Sequence, residues 1–314
     1  MRSRAWSAAL FLLFAASVLL ASSCASRRGA MQAEEFFSIG MAFFDLGRFA
    51  EAEVWLNRAL VSDRTMVASE YNLGRIAFAT GRFEDAAEYF ERILRRDPYN
   101  VMALRAAAYS RINSGDLDRA AELYDRVLAL VPESADGAFN YALVLYALGR
   151  YEESQAALER HPHALEGSAS SLLLLARAQR AQGLIEAIDS YARWVAAVTG
   201  TPNPQGLFEF AQALEVGGFY SRAIEQLEAA MDALETDTVT LRRSMLRFEK
   251  ARILLAADPE NDQGMYELNA ALEAGFADTD ALEDLLADQR LSPASLAEIR
   301  EILDGMQPKT LDSE

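Results

Sequence analysis

An all-α solenoid of stacked helical hairpins is the fold class this sequence predicts, and three observations carry that expectation. Glycines recur at Gly47, Gly81, Gly115, Gly149, Gly183 and Gly217, each 34 residues after the one before. Apolar residues on both sides of each glycine follow the i, i+3, i+4 spacing of amphipathic helices, interrupted by a glycine-led turn. A small residue stands five places after most of the turns, at Ala52, Ala86, Ala120, Ser154 and, counted from Gly218, Ala223. Self-similarity at such a period marks a repeat architecture, because one hairpin cannot bury its apolar face without a neighbour.

Composition agrees and removes other classes. The 314 residues are 51% hydrophobic and 25% charged, which excludes a mainly disordered chain. One cysteine and two histidines cannot form an internal disulfide or a Cys/His zinc site. A net charge of −17 argues against nucleic acid as a partner, since phosphate neutralisation needs clustered Lys and Arg.

The elements follow in order. The first unit, 33–66, carries Phe36, Ile39, Gly40, Phe43, Gly47, Ala52, Leu56 and Ala59 at regular positions. The second, 67–100, carries Leu73, Gly74, Gly81, Ala86, Phe90 and Pro98, and the third, 101–134, Ala107, Ala108, Gly115, Ala120, Tyr124 and Pro132. The fourth, 135–168, keeps Ala142, Gly149 and Leu158 but departs at Arg160-His161-Pro162-His163, so its second helix is expected to end early. The fifth, 169–203, has one residue deleted after Gly183, and the sixth, 204–240, keeps Phe210, Ala211, Gly218 and Ala223. A degenerate seventh covers 241–275, and 276–314 form a closing cap and tail. Within the cap, Ser292-Pro293 reads as N-cap and first residue of a last helix. Leu296, Ile299, Ile302 and Leu303 then make its apolar stripe.

These units resemble the tetratricopeptide repeat over about three quarters of the chain. One departure is Glu70, where the family places an aromatic ring. The resemblance implies a right-handed superhelix in which Gly40, Gly74, Ala108 and Ala142 allow close helix approach.

The N-terminus reads as an export signal. Arg2 and Arg4 precede the uncharged run Ala5–Ser26, and Leu20-Ala21-Ser22-Ser23 leads into the only cysteine, Cys24. This resembles a relaxed bacterial lipobox, which implies a signal peptide over 1–23, a lipidated Cys24 and a short tether over 24–32. An ordinary cleaved signal and an uncleaved anchor are the other fates, since 22 uncharged residues can just cross a bilayer. Cleavage at Cys24 removes Arg2 and Arg4 and no acid, taking the net charge from −17 to −19. The eight residues Ala25–Gln32 reach at most about 28 Å. Arg27 and Arg28 can touch anionic head groups, adding about 1 kcal/mol each.

Nothing in the sequence pairs two carboxylates for acid/base work, and the glycines recur as turns, not as a phosphate loop. The expectation is a protein that is not an enzyme and uses no cofactor or metal, with His161 and His163 in a solvated loop. The resemblance places binding on the concave face lined by the first helix of each unit. It assigns that face Phe37, Met41 and Phe44 from unit one, and Tyr71, Asn72, Arg75 and Phe78 from unit two. Units three and four add Arg105, Tyr109, Phe139, Asn140 and Tyr146. Some of these rings are expected to be core between helices; Tyr71 and Tyr109 are expected to be removable without loss of stability. The chaperone-tail subtype needs a basic residue and an asparagine where Phe37 and Met41 stand, and is rejected.

The resemblance thus implies a membrane-tethered scaffold facing the periplasm, on the outer rather than the inner membrane, binding envelope proteins or peptides. An alternative is a ligand-handling component of a TRAP-type transporter, binding small hydrophobic molecules in an oligomer. Cys24→Ala tests the tether: metabolic labelling with palmitate is expected to mark the wild-type chain and disappear in the variant. Unlabelled wild-type protein that still sediments with membranes is the result an uncleaved anchor gives.

Overall fold

Each reversal of the chain is set by backbone geometry before packing enters. The last carbonyls of a helix lack partners, and one residue in the left-handed region lets the next N–H groups turn back to them. Gly81 does this with φ 76°. Its N–H reaches the Phe78 carbonyl at 3.0 Å, and that of Arg82 reaches Ala77 at 2.8 Å. The same pair of bonds recurs around Gly47, Gly115, Gly149, Gly183 and Gly218.

The sixth turn corrects the sequence register. Gly217, the position given by the period, closes the preceding helix in a right-handed conformation, φ −76°, and Gly218 takes the left-handed turn with φ 78°. Gly217 is constrained by space instead, since an added Cβ would lie 2.8 Å from Ile188 Cδ1. The deletion after Gly183 alone would bring the turn forward; the connection over 198–203, two residues longer than its counterpart 97–100, more than offsets it and moves the turn back by one. A further step of 34 residues from Gly218 falls on Arg252, inside an unbroken helix, so the period stops there.

The computed structural model describes residues 29–238, 241–258, 262–287 and 291–306. The expected signal, Cys24, Arg27 and Arg28 lie outside the described residues. Residues 29–32, read as tether from the sequence, are already helical.

The chain divides into two compact units, up to Arg150 and from Tyr151 onward. The first contains α1 (29–45), α2 (Phe49–Ser62), α3 (Val67–Ala79), α4 (Phe83–Arg96), α5 (Val101–Ser114), α6 (Leu117–Leu130) and α7 (Ala135–Ala147). Asn100 and Ser134 cap α5 and α7 by accepting from the N–H groups of Ala103 and Gly137. Small residues on odd helices meet large ones on even helices at contact distance. A Cβ on Gly40 would sit 2.9 Å from Leu56 Cγ, and one on Gly74 would sit 2.7 Å from the Phe90 ring. Ala52, Ala86, Ala108, Ala120 and Ala142 are all fully buried. Glu70, at the family's aromatic position, is buried too; it accepts from Arg92 Nε at 2.9 Å and pairs with Arg96. An ion pair across α3 and α4 replaces ring packing there.

The second unit contains α8 (Tyr151–Arg160), a 3₁₀ turn (Pro162–Ala164), α9 (Ala169–Ala181), α10 (Ala187–Ala197), α11 (Pro204–Val216) and α12 (Tyr220–Ala233). It continues with α13 (Arg243–Ala257), α14 (Asp262–Glu273), α15 (Thr279–Leu286) and α16 (Pro293–Met306). α8 stops after 10 residues, and His161 opens the 3₁₀ turn. Among the described residues no three His, Cys, Asp or Glu side chains converge as a metal site. Tyr191 stacks on Phe210 at 5.5 Å in the main cluster, while Phe248, Leu268, Ile299 and Leu303 build a second cluster that α15 and α16 close. Ser292 caps α16 through the Ser295 N–H at 3.1 Å.

The α3–α4 contact tests this account of the repeat. Gly74→Ala is expected to cost about 1–3 kcal/mol, because the new methyl cannot fit beside the Phe90 ring. Urea denaturation followed by circular dichroism reads it, and adding Phe90→Leu is expected to restore part of the loss.

Candidate functional site

On α3 and α5, side chains four apart share one face of the helix. That periodicity puts Tyr71, Arg75 and Phe78 on one side of α3, and Arg105 and Tyr109 on one side of α5. The structure links them across helices. Arg75 Cζ lies 4.4 Å over the Phe44 ring of α1, and Phe78 meets Tyr109 at 5.2 Å between ring centroids. Tyr109 is 51% exposed, and Met102 of α5 and Leu143 of α7 are exposed as well. Arg105 Nη2 donates to Ser134 Oγ at 2.7 Å, tying α5 to the start of α7. Phe44, Arg75, Phe78 and Tyr109 therefore form one continuous run.

The other expected residues divide between support and surroundings. Asn72 is only 8% exposed; its Nδ2 donates to the Ala68 carbonyl, and its Oδ1 accepts from Arg75 Nη1 at 2.8 Å. It positions Arg75 and offers little surface of its own, which corrects its reading as a groove contact. Phe37 and Phe44 pack against the cluster of Ala52, Leu56, Leu73 and Ile76. Tyr71 tilts against Phe90 at 5.2 Å, so this ring belongs in part to the α3–α4 packing, contrary to the expectation that it is removable. Met41, Phe139, Asn140 and Tyr146 are half-buried on α1 and α7.

On this face two arginines have neutral partners. Six arginines of this unit are ion-paired: Arg48, Arg82, Arg92, Arg96, Arg111 and Arg119. Burial alone would raise the Glu91 carboxyl, but hydrogen bonds and charge from Arg111 and Arg119 outweigh it and hold it below the usual range. Arg75 and Arg105 differ. Their partners are neutral, Asn72 and Ser134, and neither has an acidic partner among the described residues. Each guanidinium is fixed in place with its charge uncompensated. Ser134 was not singled out by the sequence; one hydroxyl both caps α7 and holds Arg105.

A family model described as tetratricopeptide repeat matches residues 37–101 and 105–169. Among solved structures, a tetratricopeptide repeat protein from Parabacteroides merdae is 19% identical, covers 82% of this chain and 98% of its own, with a TM-score of 0.54. Pseudomonas aeruginosa pilF is 16% identical, covering 67% of this chain and 95% of its own, with a TM-score of 0.51. YrrB, described as a TPR protein with an unusual peptide-binding site, is 16% identical and covers 57% of this chain and 91% of its own at 0.50. No curated protein matches the sequence. At these identities the likeness concerns the fold.

The geometry separates two tyrosines that the sequence treats alike. Tyr71→Ala is expected to lower unfolding free energy by about 2–4 kcal/mol through lost packing on Phe90, and Tyr109→Ala by less than about 1 kcal/mol. Equilibrium urea titrations of the two variants check this, and equal losses would show the two rings to be equivalent.

Proposed function

The chain is a tetratricopeptide repeat protein, and from that premise we propose that it is a non-catalytic scaffold that binds segments of partner proteins. Binding takes place on the odd-helix face of the first unit. The observation that carries this reading is the contrast among arginines. In a chain of net charge −17, six arginines of this unit have carboxylates, but the two on this face are held by an amide and a hydroxyl. A ligand carboxylate reaching Arg75 or Arg105 gains a charge-assisted hydrogen bond, roughly twice as strong as a neutral one. Phe78, Tyr109, Met102 and Leu143 supply apolar contact beside them. The ligand class is a peptide with apolar anchors and acidic side chains.

The finer setting belongs to the same proposal. Cys24, preceded by an apolar run and small residues, favours a lipid tether to a bacterial envelope membrane, with the scaffold facing the periplasm and envelope proteins as partners. The outer membrane is the better candidate of the two.

The test is chemical cross-linking in native cells followed by mass spectrometry. Arg75→Gln with Arg105→Gln is expected to remove the cross-linked partners while the unfolding free energy stays within about 0.5 kcal/mol of wild type. An unchanged partner set overturns the reading. So does native mass spectrometry that finds a stable ring carrying small hydrophobic molecules, the behaviour of a transporter-associated component.

A further inference from the structure

The deletion in the fifth repeat reshapes the surface of the second unit. Four residues separate Gly183 from Ala187, where five separate Gly47 from Ala52, Gly81 from Ala86 and Gly115 from Ala120. Those three alanines bond to the carbonyl four residues back, at 3.0, 3.0 and 3.1 Å. At the start of α10 the bonds reach only three back, Ala187 to Leu184 at 3.3 Å and Ile188 to Ile185 at 3.1 Å. The helix proper begins late and spans 11 residues, against 14 for α4 and α6. Leu184 and Ile185 stay in the turn, and Ile185 is 58% exposed.

A notch of about 300 Å³ results, walled by Leu184, Ile185, Ile188, Ala213 and Val216, with Arg180 and Gln212 at its polar edge. That edge repeats a neighbouring ion pair with one change. Arg177 of α9 donates to the Glu209 carboxylate of α11 at 2.7 and 3.2 Å. One turn further along both helices, Arg180 Nη1 donates to Gln212 Oε1 at 2.9 Å. The second rung holds an amide where the first holds a carboxylate. Arg180 has no acidic partner among the described residues, and Gln212 Nε2 donates to none of them. A cation and a free amide donor thus stand beside an apolar hollow, in a chain whose net charge is −17.

We propose that this notch binds the C-terminus of a partner polypeptide, the last apolar side chain entering the hollow and the α-carboxylate resting on Arg180 and Gln212. Size and openness select this occupant. Small-molecule pockets run from about 300 to 1,000 Å³ and bury most of their ligand. This notch sits at the lower bound and is open, with Val216 88% exposed, so it accommodates one side chain and leaves the remainder in solvent. The site lies in a different unit from Arg75 and Arg105 and does not depend on them.

The test is fluorescence anisotropy on the full chain, with a fluorescein-labelled hexapeptide ending in leucine. The free-acid peptide is expected to bind saturably, and its amidated form at least tenfold more weakly, equivalent to about 1.4 kcal/mol. Gln212→Glu supplies the missing carboxylate in the geometry of Glu209 and is expected to weaken binding at least tenfold with an unchanged melting midpoint. Val216→Ser is expected to weaken it independently of charge. Equal binding of acid and amide, unchanged affinity in Gln212→Glu, displacement by octanoate at the peptide's own concentration, or no saturable binding up to about 1 mM each overturns the proposal.

Discussion

The structure depends on near-zero clearance between paired helices. Gly40 against Leu56, Gly74 against Phe90, Gly206 against Trp194 and Gly264 against Leu255 are four contacts in which a single added methyl would lie within 3 Å of a large side chain. Each brings two helix backbones close enough for a large apolar group on one to fill the gap left by a small residue on the other. Interiors packed in this way transmit small volume changes directly. The first two of these contacts are 34 residues apart in both members, Gly40 to Gly74 and Leu56 to Phe90, so a period of 34 returns small and large residue in the same register there.

That constraint also explains where the charges stand. With the contact surfaces reserved for Gly, Ala, Leu and aromatic groups, polar side chains lie beside them, and those partly buried must be paired. Lys250 bridges Glu228 at 2.7 Å and Glu267 at 2.9 Å, with only 7% of its side chain exposed. Burial pushes its ammonium toward the neutral form, and the two carboxylates outweigh that and raise its pKa. Glu70 and Glu209 are satisfied in the same way by arginines. A guanidinium held by neutral groups is therefore informative against this background, since its fixed geometry comes without compensation of its charge.

Most of the fold was legible in the sequence because glycine turns and helical periodicity are local signals. The 34-residue spacing located six hairpins, and the register slipped at Gly217 and Gly218, where the longer connection over 198–203 outweighs the residue missing after Gly183. The binding face was legible as a set of positions but not as a division of labour. Tyr71 and Tyr109 have similar side chains on neighbouring units, yet one leans on Phe90 and the other faces solvent. Which of the two a ring does is settled by the residue across the interface. Asn72 was misread for a different, local reason: its neighbours Ala68 and Arg75 take up its amide within its own helix. The notch at α10 had a sequence signal, the missing residue after Gly183, but its walls include Val216 of α11, which no local pattern places there.

The overall charge bears on how either site selects a partner. A surface of net −17 repels acidic ligands at a distance, and at physiological ionic strength that repulsion is screened beyond about 8 Å. Long-range steering therefore brings no carboxylate to Arg75, Arg105 or Arg180; attraction begins only within contact range. Discrimination then rests on short-range fit, an apolar group and a carboxylate at a fixed separation. Three guanidiniums held by neutral acceptors are suited to this, because their positions are set before the ligand arrives and less ordering entropy is lost on binding. In the proposed binding mode the acidic surface and these arginines act together: the first suppresses non-specific association with anionic chains, and the second offers the fixed positions at which a carboxylate is accepted.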